Sequence, residues 1–306
     1  MKKVLFMVAL IAVVGMATFQ AQTQEYRVIA HEGTVSSFWA VVGDGVEAAG
    51  AALGVTAVFQ GPDTFSPSQQ ADFVDAATNA GVDGIGVTYA DPNIMDPAVQ
   101  RATDAGIPVV VINSPAPAGS APFVTGTGLV YIGQQEEAAG ANLATFVANT
   151  TSCGGSDAVL LINHQRGNAA LDAREAGVRS VFSDVTVVDT PGTDFGAAAG
   201  ILETQNYDDF CAVFTLGPDG SRPLLDAFNS LGTNAQDVAV GVFDLGSVTD
   251  EGIDGCFFNA AVDQQQFAQG YYAVVQLDLF VRNGIQPTDI NTGVGLATKA
   301  DSCPNK

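Results

Sequence analysis

The chain has 306 residues, 47% of them hydrophobic and 14% charged, enough for one large domain or two of ordinary size and too apolar for a disordered chain. Its 33 acidic side chains outnumber 11 basic ones, and the resulting net charge of -22 repels phosphate backbones and anionic lipid surfaces. A nucleic-acid partner is therefore not expected.

In chain order, the first stretch reads MKKVLFMVALIAVVGMATFQAQTQE: two lysines, an apolar core from Val4 to Val14, then small and polar residues. That core is shorter than the roughly 20 residues of a membrane-spanning helix, so residues 1–22 are expected to form a secretory signal peptide, with the mature chain starting between Thr18 and Thr23. No cysteine stands near the junction to carry a lipid, which favours a periplasmic destination.

Short runs rich in valine and isoleucine then alternate with alanine-rich stretches. YRVIA, VTAVFQ, GIGVT and VVVIN read as strands, and FWAVVGDGVEAAGAAL, SPSQQADFVDAATNA and NIMDPAVQRATDA as the helices between them. The glycines of NAGVDGI and DAGIPVV suit left-handed helix stops. The rhythm restarts with AVLLINH, VTVVDT, CAVFTLG, VAVGVFD and CFFNAAVDQ, with helices expected near Ala169 to Ser180, Phe195 to Gln205 and Ser221 to Ser230. Such alternation implies βαβ units and parallel sheets buried on both faces. His31 and His164 each end the first strand of a half, and Phe65 and Phe195 each follow the second at nearly the same offset. The expected fold class is α/β, with two similar Rossmann-like lobes.

Open parallel sheets bind ligands beyond the carboxyl ends of their strands. Those ends carry HEGTVSSFW, TYADPN, NSPAP, NHQRGN, LGPDG, FDLGS and DQQQF, so polar and aromatic groups of both halves should converge on one cleft. Cys153, Cys211, Cys256 and Cys303 allow three pairings in an oxidising compartment. A 2-1-3-4-5 strand order puts Cys153 and Cys211 near adjacent strand starts and leaves Cys256 for Cys303, both bonds at the sheet end away from the cleft.

Signatures of catalysis are sparse. GDGVEA, Gly43 to Ala48, matches a dinucleotide pattern but lies within a helix instead of after a strand. There is no G-x-S-x-G, no phosphate-loop lysine motif and no Cys or His pair at metal spacing, so neither cofactor nor metal is expected. An enzyme would have to use His31, His164, Glu32, Asp91, Asp244 or Asp263, with no nucleophile singled out. Each histidine reads equally as a polar strand cap or as a ligand contact. Of Phe38 and Trp39, which open the first helix, one is expected to enter the core and the other to offer a flat face to a sugar ring. Arg174 should bring its planar fork to the cleft, the alternative being a surface ion pair with Asp172 or Glu175. Asn149-Thr150-Thr151 is a glycosylation acceptor pattern.

Taken together, HEGTVSSFW, QGPDTF, INS, NHQRGNAALDAREAG, TLGP, FDLGS and DQQQFAQGY form a specific signature across nearly the whole mature chain. On these residues the chain resembles the type I periplasmic sugar-binding proteins of ABC transporters, the ribose-binding-protein-like family. The resemblance implies that Phe38 and Trp39 stack a sugar, Arg174 clamps its ring oxygen and hydroxyls, Asp244 accepts from hydroxyls, and Gln264 bonds the ligand near the hinge. His164 and Asn168 are expected to add hydrogen bonds. Asn113 stands where ribose binders carry an aspartate, a departure that removes a charge and a two-hydroxyl acceptor and argues against ribose itself; Ser37 stands where proline is usual and Gly217 where ribose binders have asparagine. The implied architecture has three hinge crossings, near 126, 264 and 292, giving one lobe of 23–126 with 265–292 and another of 127–264 with 293–306. The implied function is capture of a monosaccharide between closing lobes and delivery to an ABC permease, by an exported monomer that is not an enzyme. A sugar-sensing receptor domain is the main alternative, and an exported carbohydrate-active enzyme a lesser one.

Overall fold

The computed structural model describes residues 23–117, 120, 130–232, 238–293, 295–298 and 303; the segment read as a signal peptide lies outside them. Runs of β-branched residues make the strands of two sheets. In the first, β1 (Glu25–Ile29), β2 (Thr56–Gln60), β3 (Gly84–Val87), β4 (Val109–Ile112) and β5 (Val130–Gly133) stand in parallel in the order β2-β1-β3-β4-β5. The second repeats that order with β6 (Ala158–Asn163), β7 (Asp184–Asp189), β8 (Ala212–Thr215), β9 (Ala239–Phe243) and β10 (Ala260–Asp263). Edge strands complete each sheet: β11 (Ile290–Asn291) runs parallel to β5, and β12 (Gly295–Thr298) antiparallel to β10.

Alternating side chains feed a core on each face of each sheet. On β4, Val110 and Ile112 enter one cluster while Val109 and Val111 enter the opposite one. On β6, Val159 and Leu161 part in the same way from Leu160 and Ile162. This two-sided burial explains why the strands read as continuous apolar runs. Helices α1 (Ser37–Leu53), α2 (Pro67–Ala80) and α3 (Pro92–Asp104) cover the first sheet, and α4 (Glu136–Thr150), α5 (Ala169–Val181), α6 (Phe195–Glu203), α7 (Pro218–Leu231) and α8 (Ser247–Asp254) the second. Helix α9 (Gln266–Asn283) returns to the first sheet and packs along α1. Gly81 and Gly106, in the two segments read as helix stops, take φ of 70° and 84°.

The chain passes between sheets after β5, after β10 and between β11 and β12. One expected boundary needs correction. Residue 126 lies outside the described residues, but β5 still belongs to the first sheet, so the first crossing falls at Gln134–Gln135. The crossings are bonded together: Gln269 Nε2 donates to the Gln264 carbonyl at 3.1 Å and to Thr292 Oγ1 at 3.2 Å, and the Thr292 amide donates to the Gly133 carbonyl at 3.1 Å. Disulfides join Cys153 to Cys211 and Cys256 to Cys303, the pairing deduced from strand order; Cys153, Cys211 and Cys256 stand ahead of β6, β8 and β10, and Cys303 follows β12, whose end pairs with the start of β10.

Helix pairs approach closely where glycine stands. A Cβ on Gly177 of α5 would lie 2.1 Å from the Glu137 carbonyl oxygen of α4, and one on Gly140 would lie 2.3 Å from the Arg174 carbonyl oxygen. The same device serves α1 and α9 at Gly45 and Gly270. Gly177→Ala forces backbone from backbone, and is expected to cost about 1–3 kcal/mol, a loss of several degrees in Tm by calorimetry, although alanine is the better helix former.

Candidate functional site

The strand ends of both sheets meet around one cavity, lined by side chains of both lobes. All eight expected ligand residues, Phe38, Trp39, Asn113, His164, Asn168, Arg174, Asp244 and Gln264, line it. Asn113 follows β4 and Asp244 follows β9, and both adopt left-handed backbone, φ 58° and 76°. Their amides donate to Ile132 and Val262 of the next strand at 3.1 and 3.0 Å. Asn and Asp tolerate this conformation better than other side-chain-bearing residues, so the repeat places one short polar group at the same corner of each lobe.

Phe38 and Trp39 do not divide between core and cleft as expected. Both border the cavity, both are buried in the first lobe's core, and their rings meet edge to face at 4.8 Å. The physical reason is on β2, where Phe59 stacks on Trp39 with centroids 6.0 Å apart and fixes the indole.

Arg174 is buried, with its partner neither Asp172 nor Glu175. Its Nε donates to Glu136 Oε2 at 2.6 Å, Nη1 to the Leu216 carbonyl at 2.6 Å, and Nη2 to Gln264 Oε1 at 3.4 Å, while the guanidinium lies 4.6 Å over the Phe243 ring. Burial works against its charge, but Glu136 and Asp244 outweigh that and raise its pKa. Gln264 is the junction of the network: its Oε1 also accepts from Asn113 at 3.1 Å, and its Nε2 donates to Asp244 Oδ1. Asn168 caps α5, its Oδ1 accepting from the Ala170 amide at 3.0 Å and its Nδ2 donating to Gln165 at 2.9 Å. Its polar atoms thus brace the wall.

Several contacts bridge the two lobes. Ser36 Oγ donates to Asp219 Oδ2 at 3.1 Å, Gln165 Nε2 to Glu32 Oε2 at 2.7 Å, and the Ala169 amide to the Ala90 carbonyl at 3.0 Å. Sequence reasoning missed Ser36, Gln165, Asp219 and Glu136 as site residues; Gln165 could have been found by the repeat, since it follows His164 as Glu32 follows His31.

The cavity is electrostatically unusual. Burial, reinforced by Asp219, pushes Glu32 up to about 8; burial pushes Asp244 to about 7 and Asp219 to about 6. Burial lowers both histidines to about 3, so they are neutral imidazoles near pH 7, poorly suited as general bases there. Glu32 Oε1 and His164 Nδ1 are buried without a hydrogen-bond partner. Gly217 makes room for His164: a Cβ there would stand 2.8 Å from its Cε1. Donors, acceptors and aromatic faces around one cavity suit the binding of a polar ring.

Comparison with known proteins agrees with this fold. The chain is 23% identical over 286 residues to the xylose/arabinose-binding protein of Sulfolobus acidocaldarius, covering 89% of this chain and 70% of that one. Among solved structures, a carbohydrate transporter of Acidothermus cellulolyticus in complex with myo-inositol is 27% identical, with a TM-score of 0.80 over 91% of this chain and 95% of that one. A periplasmic sugar-binding protein of an ABC sugar transporter from Legionella pneumophila shares the fold at 22% identity, with a TM-score of 0.80 over 89% of this chain and 100% of that one. The family model of the periplasmic binding protein domain matches residues 28–284. That match takes in every residue lining the shared cavity and most of both sheets, and the chain belongs to the periplasmic binding protein family.

Proposed function

We propose that the chain is an exported, monomeric solute-binding protein that encloses one monosaccharide or cyclic polyol between its lobes and hands it to an ABC permease, without chemical turnover. The observation that carries this is the cavity itself, in which polar side chains from the strand ends of both lobes converge beside two aromatic rings. In this reading Phe38 and Trp39 pack against the C–H face of the ring, Arg174 and Asp244 take hydroxyls from the second lobe, and Asn113, His164 and Gln264 bond the remaining edge. Asn168 holds the wall. A ligand lacking one of the matched hydroxyls leaves a buried group unpaired, at a cost of roughly 1–3 kcal/mol. The relatives support the class of ligand: one binds xylose or arabinose and another holds myo-inositol.

Thermal unfolding against pentoses, hexoses and inositols tests the proposal. A sugar at a hundred times its Kd should stabilise by about 2.7 kcal/mol, raising Tm by roughly 5–10 °C, and should be recovered unchanged. Silence across the whole panel would overturn the sugar reading, and recovery of a converted product would overturn the absence of turnover.

A further inference from the structure

The structure assigns a charge to the ligand: we infer that the sugar or cyclitol carries a protonated amine, seated between Glu32 of the first lobe and Asp219 of the second. The inference rests on the binding function proposed above and specifies its substrate class.

Three carboxyl groups, Glu32, Asp219 and Asp244, line the cavity, against a single guanidinium. That guanidinium is committed, since Arg174 faces Glu136 and acts on Asp244. The other described arginines are also engaged elsewhere: Arg27 with Glu25, Arg101 with Asp75, Arg166 and Arg179 with Glu175, Arg222 with Asp226, and Arg282 with Asp278. Among the described residues no basic side chain therefore pairs with Glu32 or Asp219, although both are at least nine-tenths buried. Each accepts one bond from the opposite lobe, Glu32 from Gln165 and Asp219 from Ser36, so closure brings the two carboxyls towards each other. Glu32 Oε1 remains without a partner.

The fold does not require an acid at this corner. Glu32 follows His31 at the end of β1, and the same place after His164 at the end of β6 holds Gln165, a neutral amide. An ammonium on the ligand would satisfy Glu32 Oε1, bridge the two carboxyls and draw the lobes together, and the rims of such sites gain further from aromatic faces of the kind Phe38 and Trp39 present. A neutral hydroxyl in that position leaves the carboxyl pair without a counter-charge.

The test is titration calorimetry at pH 7 on ligand-stripped protein with matched pairs: glucose and glucosamine, galactose and galactosamine, myo-inositol and an amino-deoxyinositol. At least one amine should bind tenfold or more tightly than its hydroxyl partner, and Glu32→Gln should reduce that preference at least tenfold. Glu32→Asp, which keeps the charge, should restore part of it, and the melting curve of each variant checks its folding. If a hydroxyl member wins in every pair, the charge assignment fails while the sugar-binding reading stands. If no member of any pair binds, the charge assignment fails, while the sugar-binding reading is decided by the wider panel above. A preference that survives unchanged in a folded Glu32→Gln protein removes Glu32 as its source.

Discussion

Replacing Arg174 by methionine is expected to abolish detectable binding of the best ligand in the panel and to lower Tm by roughly ten degrees. Two different losses add here. The guanidinium supplies the cavity's charged hydrogen-bond donors, so in the proposed binding role its removal takes away binding energy. It also leaves Glu136 buried beside a methionine, with Oε1 already unpartnered and only Gln134 donating to Oε2. Breaking a buried ion pair from one side costs about 3–5 kcal/mol, because the surviving charge is stranded. The second effect can be separated from the first. Glu136 does not border the cavity, so Arg174→Met combined with Glu136→Leu removes both charges and should recover most of the lost Tm while binding stays absent. Calorimetric melting and ligand titration of the single and double variants make the check; a double variant no more stable than Arg174→Met would mean that the pair is not what holds this part of the lobe.

That pair also marks the limit of what the sequence disclosed. Local reasoning offers Arg174 partners on its own helix, Asp172 and Glu175, because helical neighbours are all that spacing can suggest. The actual partner lies at the start of α4, a helix with no reading in the sequence, behind a four-residue strand, VYIG, too short to carry an alternating pattern. The same gap set the first crossing too early. By contrast, the strand ends were legible because parallel strands buried on both faces are uninterrupted apolar runs, and whatever polar residue follows each run must stand at the carboxyl edge. Hence His31, Asn113, His164, Asp244 and Gln264 could be placed at one cleft before any coordinate was known. That Ser36 and Asp219 bond to each other across the lobes was not legible, because the contact joins the N-cap of α1 to the first turn of α7, 183 residues apart in the chain.

Raising the pH from about 6.5 to about 8.5 should lower the Tm of the ligand-free protein by several degrees, the reverse of the usual carboxylate effect. A carboxyl whose pKa is raised on folding binds more protons folded than unfolded, so stability falls as pH climbs from its unfolded value, ~4, through its folded one. Glu32, Asp244 and Asp219, at about 8, 7 and 6, all act in this direction. His31 and His164, lowered to about 3, act in the other: below ~6.5 the unfolded chain takes up protons that the folded one refuses, so they destabilise as pH drops. The two sets therefore offset each other between ~4 and ~6.5, and above that only the carboxyls still titrate. Glu32→Gln should flatten the upper part of the curve and leave the contribution of Asp244 near pH 7. A Tm that holds or rises across the window in the parent protein, or a Glu32→Gln curve of unchanged slope, would contradict this account. Because opening the lobes returns Glu32 and Asp219 to water, the same rise in pH should also shift the ligand-free protein towards an open form, visible as an increased radius of gyration in solution scattering.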